Sequence, residues 1–400
     1  MRKVGNTLTP VDRPRDTRLS CDEVVIVVGG TPWDDQNIWY PERHVAMHLA
    51  RRIPVLWVDP PASVVSARRR AVAGRTLRDG SLSRMGPNMW RVSAITVPGV
   101  SRPVLRDIAS WQARRAVRQA ARTIGARVRA TIVATLDDML DVVPQSRRVF
   151  YATDDFVAGA ALTGMSERWL AKLESRQLQE SDLVIAVSGE LRRKWATRHR
   201  NIVVVPNGCD VERFATADSA PVPDDVRLPS PIAGYVGLMS ARVDLSMLER
   251  VADSGVSLLL VGPRQPTYDI TKMQPLLDRA NVQWVGPKRF QDIPSYLRVI
   301  DVGLTPYTQS DFNRACSPLK TVEYLAAGRP VVASDLPAHR ELKTPHVAIA
   351  ATADEFAALT STFLARGVYP EQAAERRAFA GKHSWSEQAD RISRAIGLDC

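Results

Sequence analysis

The chain is poor in cysteine, in aromatic residues and in long apolar runs. Its four cysteines, Cys21, Cys209, Cys316 and Cys400, are scattered over 400 residues, and no pair has zinc-ligand spacing, so neither a disulfide framework nor a zinc finger is expected. The first apolar run, Val24 to Val28, is too short for a signal-peptide core or a membrane span. Gly-x-Gly-x-x-Gly, Walker, Gly-x-Ser-x-Gly and His-Glu-x-x-His patterns are all missing, which removes the P-loop, serine-hydrolase and zinc-protease readings. The six histidines form no ligand cluster; His44 and His48 share a helix spacing without the accompanying glutamate and are read as accidental. Together these absences predict a soluble protein of a reducing cytoplasm.

What is present is ordinary globular composition, 45% hydrophobic and 24% charged over 44.2 kDa, enough for sizeable cores and too long for one of them. The net charge of +11 is unevenly placed. Residues 1–150 hold 25 Lys and Arg against 13 Asp and Glu, whereas residues 151–400 hold 29 against 30. A one-sided basic region suits an anionic partner such as phospholipid headgroups, a lipid-phosphate substrate or nucleic acid. Solvated arginines, in a chain with 46 Arg and 8 Lys, are the plainer alternative. Arg114, Arg115, Arg118 and Arg122 lie at helical spacings that would form one cationic stripe.

Short β-branched runs alternate with helical segments, the pattern of parallel βαβ units. One series runs from Val24–Val28 to Ile202–Val205 and a second from Ile232–Val236 to Val347–Ala350; Arg102–Ile124, Ser166–Glu180, Ile293–Val299 and Leu319–Ala327 read as helices among them. Two doubly wound α/β domains follow. The expected boundaries are a polar segment 1–22, a first domain 23–210, a linker 211–231 whose proline-rich part begins at Ala215, a second domain 232–382, and a closing helix within 383–400. Arginine-dense Arg68–Arg84 reads as a loop. Ligands of such sheets bind beyond the carboxyl ends of strands, so functional residues should follow strands directly.

The segment from Cys316 to Asp335 fits that rule. Ser317 suits an N-cap, Pro318 a first turn and Gly328 a helix end, giving a helix over 318–327 whose free N–H groups suit a diphosphate. Lys320 adds charge, and Glu323 could accept two ribose hydroxyls. Gly29-Gly30-Thr31 ends the first strand, where small residues let backbone approach a ligand. Tyr151-Ala-Thr-Asp-Asp-Phe156 ends another, with paired acids Asp154 and Asp155. The alternatives are an ordinary turn for the glycines, and a strand-end or capping role for the aspartates, as for Asp34-Asp35 and Asp137-Asp138.

Ser317 to Asp335 resembles the donor-binding motif of glycosyltransferase family 4. Asn207-Gly-Cys-Asp210, Tyr235-Val-Gly-Leu with Arg242-Val-Asp-Leu, Asp301-Val-Gly-Leu-Thr-Pro-Tyr and His383-Ser-Trp-Ser match further pieces in order, and the teichuronic-acid-type branch is the most similar. The resemblance implies the GT-B fold, two Rossmann-like domains facing each other across a cleft. It also implies a retaining, metal-independent hexosyltransferase that takes a UDP- or GDP-sugar as co-substrate, with no cofactor, for cell-surface polysaccharide or glycoconjugate synthesis at the inner membrane face. The implied donor residues are Gly29, Gly30, Arg242, Ser317, Pro318, Leu319, Lys320 and Glu323; Asp154, Asp155, Arg242 and Lys320 carry the chemistry. A glycan or lipid-linked acceptor and an anionic membrane surface are the implied partners.

Two positions depart from the pattern. Ala315 stands where the family often has a first glutamate, and Leu238 where it has an arginine, leaving Arg242 as the cation for donor phosphates or as an ion-pair partner of Asp244. A nucleotide-sugar epimerase and a non-catalytic relative on the same fold are the rival readings. Nucleic-acid binding rests on charge alone, with no recognition motif.

Overall fold

Strands of a parallel sheet covered by helices on both faces must be apolar throughout. The computed structural model, which describes residues 22–34, 40–64, 82–98, 103–367 and 369–398, contains two such sheets. In chain order the strands are β1 (Glu23–Val28), β2 (Val55–Val58), β3 (Ala62–Ser63), β4 (Ser83–Gly86), β5 (Met89–Val92), β6 (Ile95–Thr96), β7 (Arg127–Val133), β8 (Arg147–Ala152), β9 (Leu183–Ala186) and β10 (Ile202–Val204), then β11 (Ile232–Val236), β12 (Ser257–Val261), β13 (Val282–Trp284), β14 (Val302–Thr305), β15 (Val331–Ser334) and β16 (Val347–Ala350). The first sheet has the order β10-β9-β8-β7-β1-β2-β5-β4 and the second β13-β12-β11-β14-β15-β16, while β3 pairs with β6 apart from both. Among the described strands only β4 runs antiparallel, in a hairpin with β5.

Strand order reverses between β1 and β7 in the first sheet and between β11 and β14 in the second. At such points the flanking connections leave in opposite directions and open a crevice beyond the strand ends. Gly29 and Gly30 sit at the first crevice, where Gly29 is obligatory: a Cβ there would lie 2.2 Å from the Trp57 ring. At the second, Gly262 has φ +136° and a Cβ would meet the Gly237 carbonyl oxygen at 2.0 Å, so the loops after β11 and β12 pack backbone to backbone.

The helices form where sequence and capping agree. Glu167–Glu180 starts at Ser166, whose hydroxyl accepts from Trp169 N, and Ala353–Arg366 starts with a capping box between Thr352 and Glu355. The last helix, Trp385–Ala395, returns to the first sheet, where Trp385, Ile392 and Ile396 join the core of Val25, Val45 and Trp57. Among the described residues no helix is long and apolar enough to cross a bilayer.

Several expectations need correction. Within the expected linker, Asp210 caps a short helix, Val211–Ala215. Ser83 and Arg84 are strand residues of β4; residues 65–81 of the expected loop, with residues 1–21, Asp35 and Arg102, lie outside the described residues. The four-arginine stripe on the helix Pro103–Ile124 does not exist. Arg114 turns inward to Asp138 and Asp141, at 3.1 and 2.7 Å, and Arg118 Nε donates to the Val142 carbonyl at 3.0 Å.

Candidate active site

The two crevices face each other, and the side chains between them come from six loops. Arg242, in the loop after β11, is the centre. Its Nε donates to Asn313 Oδ1 at 3.0 Å and a terminal nitrogen donates to Cys316 Sγ at 3.4 Å. The guanidinium lies over Phe312 at 4.7 Å and Tyr307 at 5.5 Å. Asn313 is 1% exposed and returns Nδ2 to the carbonyls of Arg242 and Thr308, each at 3.0 Å. Arg242 therefore has no ion pair with Asp244, which instead accepts from Ser246 N to cap the helix Leu245–Asp253.

The helix after Cys316 runs from Leu319 to Ala326, with Pro318 in the N-cap position and no side-chain cap. Ser317 does not cap it. Its hydroxyl accepts from Asn207 N at 3.0 Å, tying the crossover between the sheets to the donor loop. Leu319 N donates to the Ser317 carbonyl, and the N–H groups of Lys320 and Thr321 in the first turn take no intrahelical partner, as helix geometry requires. Lys320 Nζ donates to Glu323 Oε2 at 2.7 Å. Burial pulls the Lys320 ammonium down, but Glu323 beside it more than offsets this and leaves it above the usual lysine value. Tyr307 feels the charges of both Arg242 and Lys320, so the cations and Glu323 share one neighbourhood.

From the first sheet, the strand-end pair divides its work. Asp155 is 4% exposed and is held by Lys194 at 2.7 and 2.8 Å and by Ala158 N at 2.9 Å, partners that all belong to the first domain and fix the loop after β8. Asp154 faces the second domain, 3.7 Å from Cys316 Sγ. Burial raises its carboxyl to about 6, against the pull of Arg242 and of the Cys316 thiol. Burial likewise pushes the thiol up to about 12.

Glu42 is a residue that sequence reasoning missed. It is 3% exposed, accepts from Gly30 N at 3.1 Å, and is raised to about 7 by burial, with backbone N–H donors opposing and Asp154 reinforcing. Tyr40-Pro41-Glu42 reads as an ordinary helix start, and nothing along the chain signals that this start is buried behind Gly30. Asn313 and Phe312 are hidden in the same way, in a five-residue helix, Asp311–Ala315. Ala315, where the family pattern has an acid, offers its carbonyl to Ser188 Oγ at 2.6 Å across the cleft, and Leu238 is 45% exposed.

Residues 231–366 match the family described as glycosyl transferases group 1. Over this stretch, about a third of the chain, the protein is similar to group 1 glycosyltransferases. TuaH of Bacillus subtilis (strain 168), named for teichuronic acid biosynthesis, is 31% identical over 193 residues, covering 46% of this chain and 48% of that protein; the chain thus spans about half the length of this relative. The whole architecture is that of GT-B proteins. Sucrose-phosphate synthase from Thermosynechococcus elongatus matches with a TM-score of 0.67 and 17% identity over 93% of this chain and 98% of its own. The E. coli trehalose-6-phosphate protein bound with UDP-2-fluoro glucose matches at 0.64 and 14% over 94% and 99%. HepE of Anabaena in complex with UDP-glucose matches at 0.57 and 14% over 94% and 99%. The matched stretch contains Arg242, Asn313, Ser317, Lys320 and Glu323, whereas Gly30, Glu42 and Asp154 come from the sheet that precedes it.

Proposed function

We propose that the protein transfers a sugar, with retention, from a nucleotide diphosphate sugar to a hydroxyl of a glycan or lipid-linked acceptor in cell-surface polysaccharide synthesis. The observation that carries this reading is Arg242. A largely buried guanidinium is ordinarily matched by a carboxylate, yet among the described residues its hydrogen-bond partners are the neutral Asn313 and Cys316, with two aromatic faces beneath it. It is held beside Cys316, just ahead of the helix Leu319–Ala326, by neutral hydrogen-bond partners; Asp154, the acid that feels its charge, makes no hydrogen bond to it, which leaves the guanidinium able to meet an anion.

A diphosphate at that point would meet Arg242, Lys320 and the first-turn N–H groups, cations and dipoles fixed before the reaction begins. Glu323 would take the ribose hydroxyls while keeping Lys320 in place. Gly29 and Gly30 would close on the phosphates from the other side. Charge grows on the leaving diphosphate as the glycosidic bond breaks, and the same oxygens can receive the proton of the incoming hydroxyl. Asp154 would orient that hydroxyl; Asp155 acts on it only through the loop that both share. The UDP-bound HepE and trehalose-6-phosphate proteins favour a uridine donor, and TuaH favours an envelope-polysaccharide acceptor.

Calorimetric titration with UDP, GDP and ADP tests the donor site. One nucleotide should bind, and Glu323→Ala should weaken it by about 10- to 100-fold, the worth of a charged hydrogen-bond acceptor. Binding unchanged within about twofold would refute the role given to Glu323, and no binding by the wild type would refute the donor site.

A further inference from the structure

The helix Pro103–Ile124 is built inside out. The residues it turns toward the first sheet are mostly alanine, with Ala109, Ala113, Val117 and Ala120 all buried, while three apolar side chains face outward: Val104 is 70%, Ile108 40% and Trp111 57% exposed. These three, with Arg115 and Arg122, are spaced by four, three, four and seven residues, which places them in one narrow stripe. Apolar residues occupy the first turns and cations the later ones. Arg115 lies over the Trp111 ring at 5.7 Å, and among the described residues neither Arg115 nor Arg122 has a carboxylate within 4 Å. Asp107 is the exposed acid at the stripe's flank.

We propose that this stripe docks the protein on an anionic phospholipid bilayer, Val104, Ile108 and Trp111 entering the headgroup boundary and Arg115 and Arg122 meeting lipid phosphate. Three observations select lipid. Apolar and cationic side chains share one face, as a bilayer surface shares apolar depth with phosphate charge, and a tryptophan beside arginine suits the interface between them. The surplus of 25 basic over 13 acidic residues in the first 150 adds attraction of the same sign. A second copy of the chain laid on this stripe would bury Arg115 and Arg122 of both copies with only Asp107 of each at the flank to pair them, more cation than the contact can neutralise. The corrected arginines, Arg114 and Arg118, take no part, so the surface differs from a simple cationic stripe. The proposal rests on this surface alone and not on the transferase reading, although a lipid-linked acceptor would make use of it.

Co-sedimentation with vesicles of phosphatidylcholine alone and of phosphatidylcholine with phosphatidylglycerol tests it. Binding should require phosphatidylglycerol, weaken with salt, and fall at least about tenfold in Val104→Ser/Ile108→Ser/Trp111→Ser, while Trp169→Ser, at an exposed tryptophan of another helix, should bind as the wild type does. Trp111→Phe gives a second readout, loss of the tryptophan signal that brominated lipid quenches. Absence of wild-type binding, equal binding by the triple variant, or a dimer broken by that variant without any vesicle binding would overturn the proposal. Vesicle binding needs no nucleotide, so failure here and failure of the donor site are separately visible.

Discussion

Glu42 and Asp154 are two buried carboxyls that feel each other, and their environment makes the fold sensitive to pH in a definite direction. Folding raises the Glu42 value from 4.5 to about 7; the native state therefore holds this proton more tightly than the unfolded chain does. The group costs nothing below pH 4.5, and its stabilisation of the fold is lost as pH rises through 7, in total on the order of 3 kcal/mol. Asp154 acts in the same direction at slightly lower pH. His44, lowered to about 4 by burial, acts oppositely, its penalty growing as pH falls below 6.5. Glu42→Gln keeps an acceptor for Gly30 N without a charge to bury. Its melting temperature should match the wild type near pH 4 and exceed it by several degrees at pH 8. An equal difference at both pH values would show that Glu42 is not the buried acid described.

The helix Asp311–Ala315 is far too short to be stable by itself, and what fixes it is the side chain in its middle. Ser310 caps it through Asn313 N at 3.3 Å, and Asn313 then spends both polar ends on Arg242 and Thr308. An asparagine suits this place because it accepts from the guanidinium without neutralising it. Asn313→Asp keeps the shape and supplies a carboxylate, converting a reserved cation into an ion pair and removing a donor to two carbonyls. Nucleotide affinity should drop at least about tenfold, the usual worth of a charged hydrogen bond, while the protein still folds cooperatively; unchanged affinity would take Arg242 out of the donor site. The parallel strands and the helix after Cys316 are legible in the sequence because burial on both faces writes continuous β-branched runs, and because Ser-Pro and Gly-x-Pro bracket a helix. Asn313, Phe312 and Glu42 are not legible, since their roles come from which loops the topology brings together. Ser317 shows the same limit: its hydroxyl suits an N-cap locally, yet a backbone N–H 110 residues away in sequence claims it.

The two sheets are joined twice, and the joints lie side by side. Going out, the chain passes through Asn207-Gly208-Cys209; coming back, it passes through His383-Ser384-Trp385. Cys209 N donates to the His383 carbonyl at 2.8 Å and Trp385 N to the Cys209 carbonyl at 3.2 Å. A Cβ on Gly208 would lie 2.6 Å from Trp385 Cα, so the crossovers touch backbone to backbone. Any change in the angle between the sheets must bend both strands of this joint together. Trp385 is its anchor, 3% exposed and stacked on His44 at 4.7 Å with the rings 5° apart. Its indole belongs to the core of the first sheet although its sequence position lies beyond the whole second sheet. Removing it should therefore damage the distant half of the chain. Trp385→Ala is expected to cost about 3 to 5 kcal/mol, the range for deleting a buried aromatic ring, and to release the helix Trp385–Ala395 from Pro41–Leu49. Hydrogen exchange should then rise in β1, β2 and the helix Pro41–Leu49, with β12 and β13 protected as before. If protection were lost chiefly in the second sheet, the return helix would be part of that domain and not the strap that closes the first.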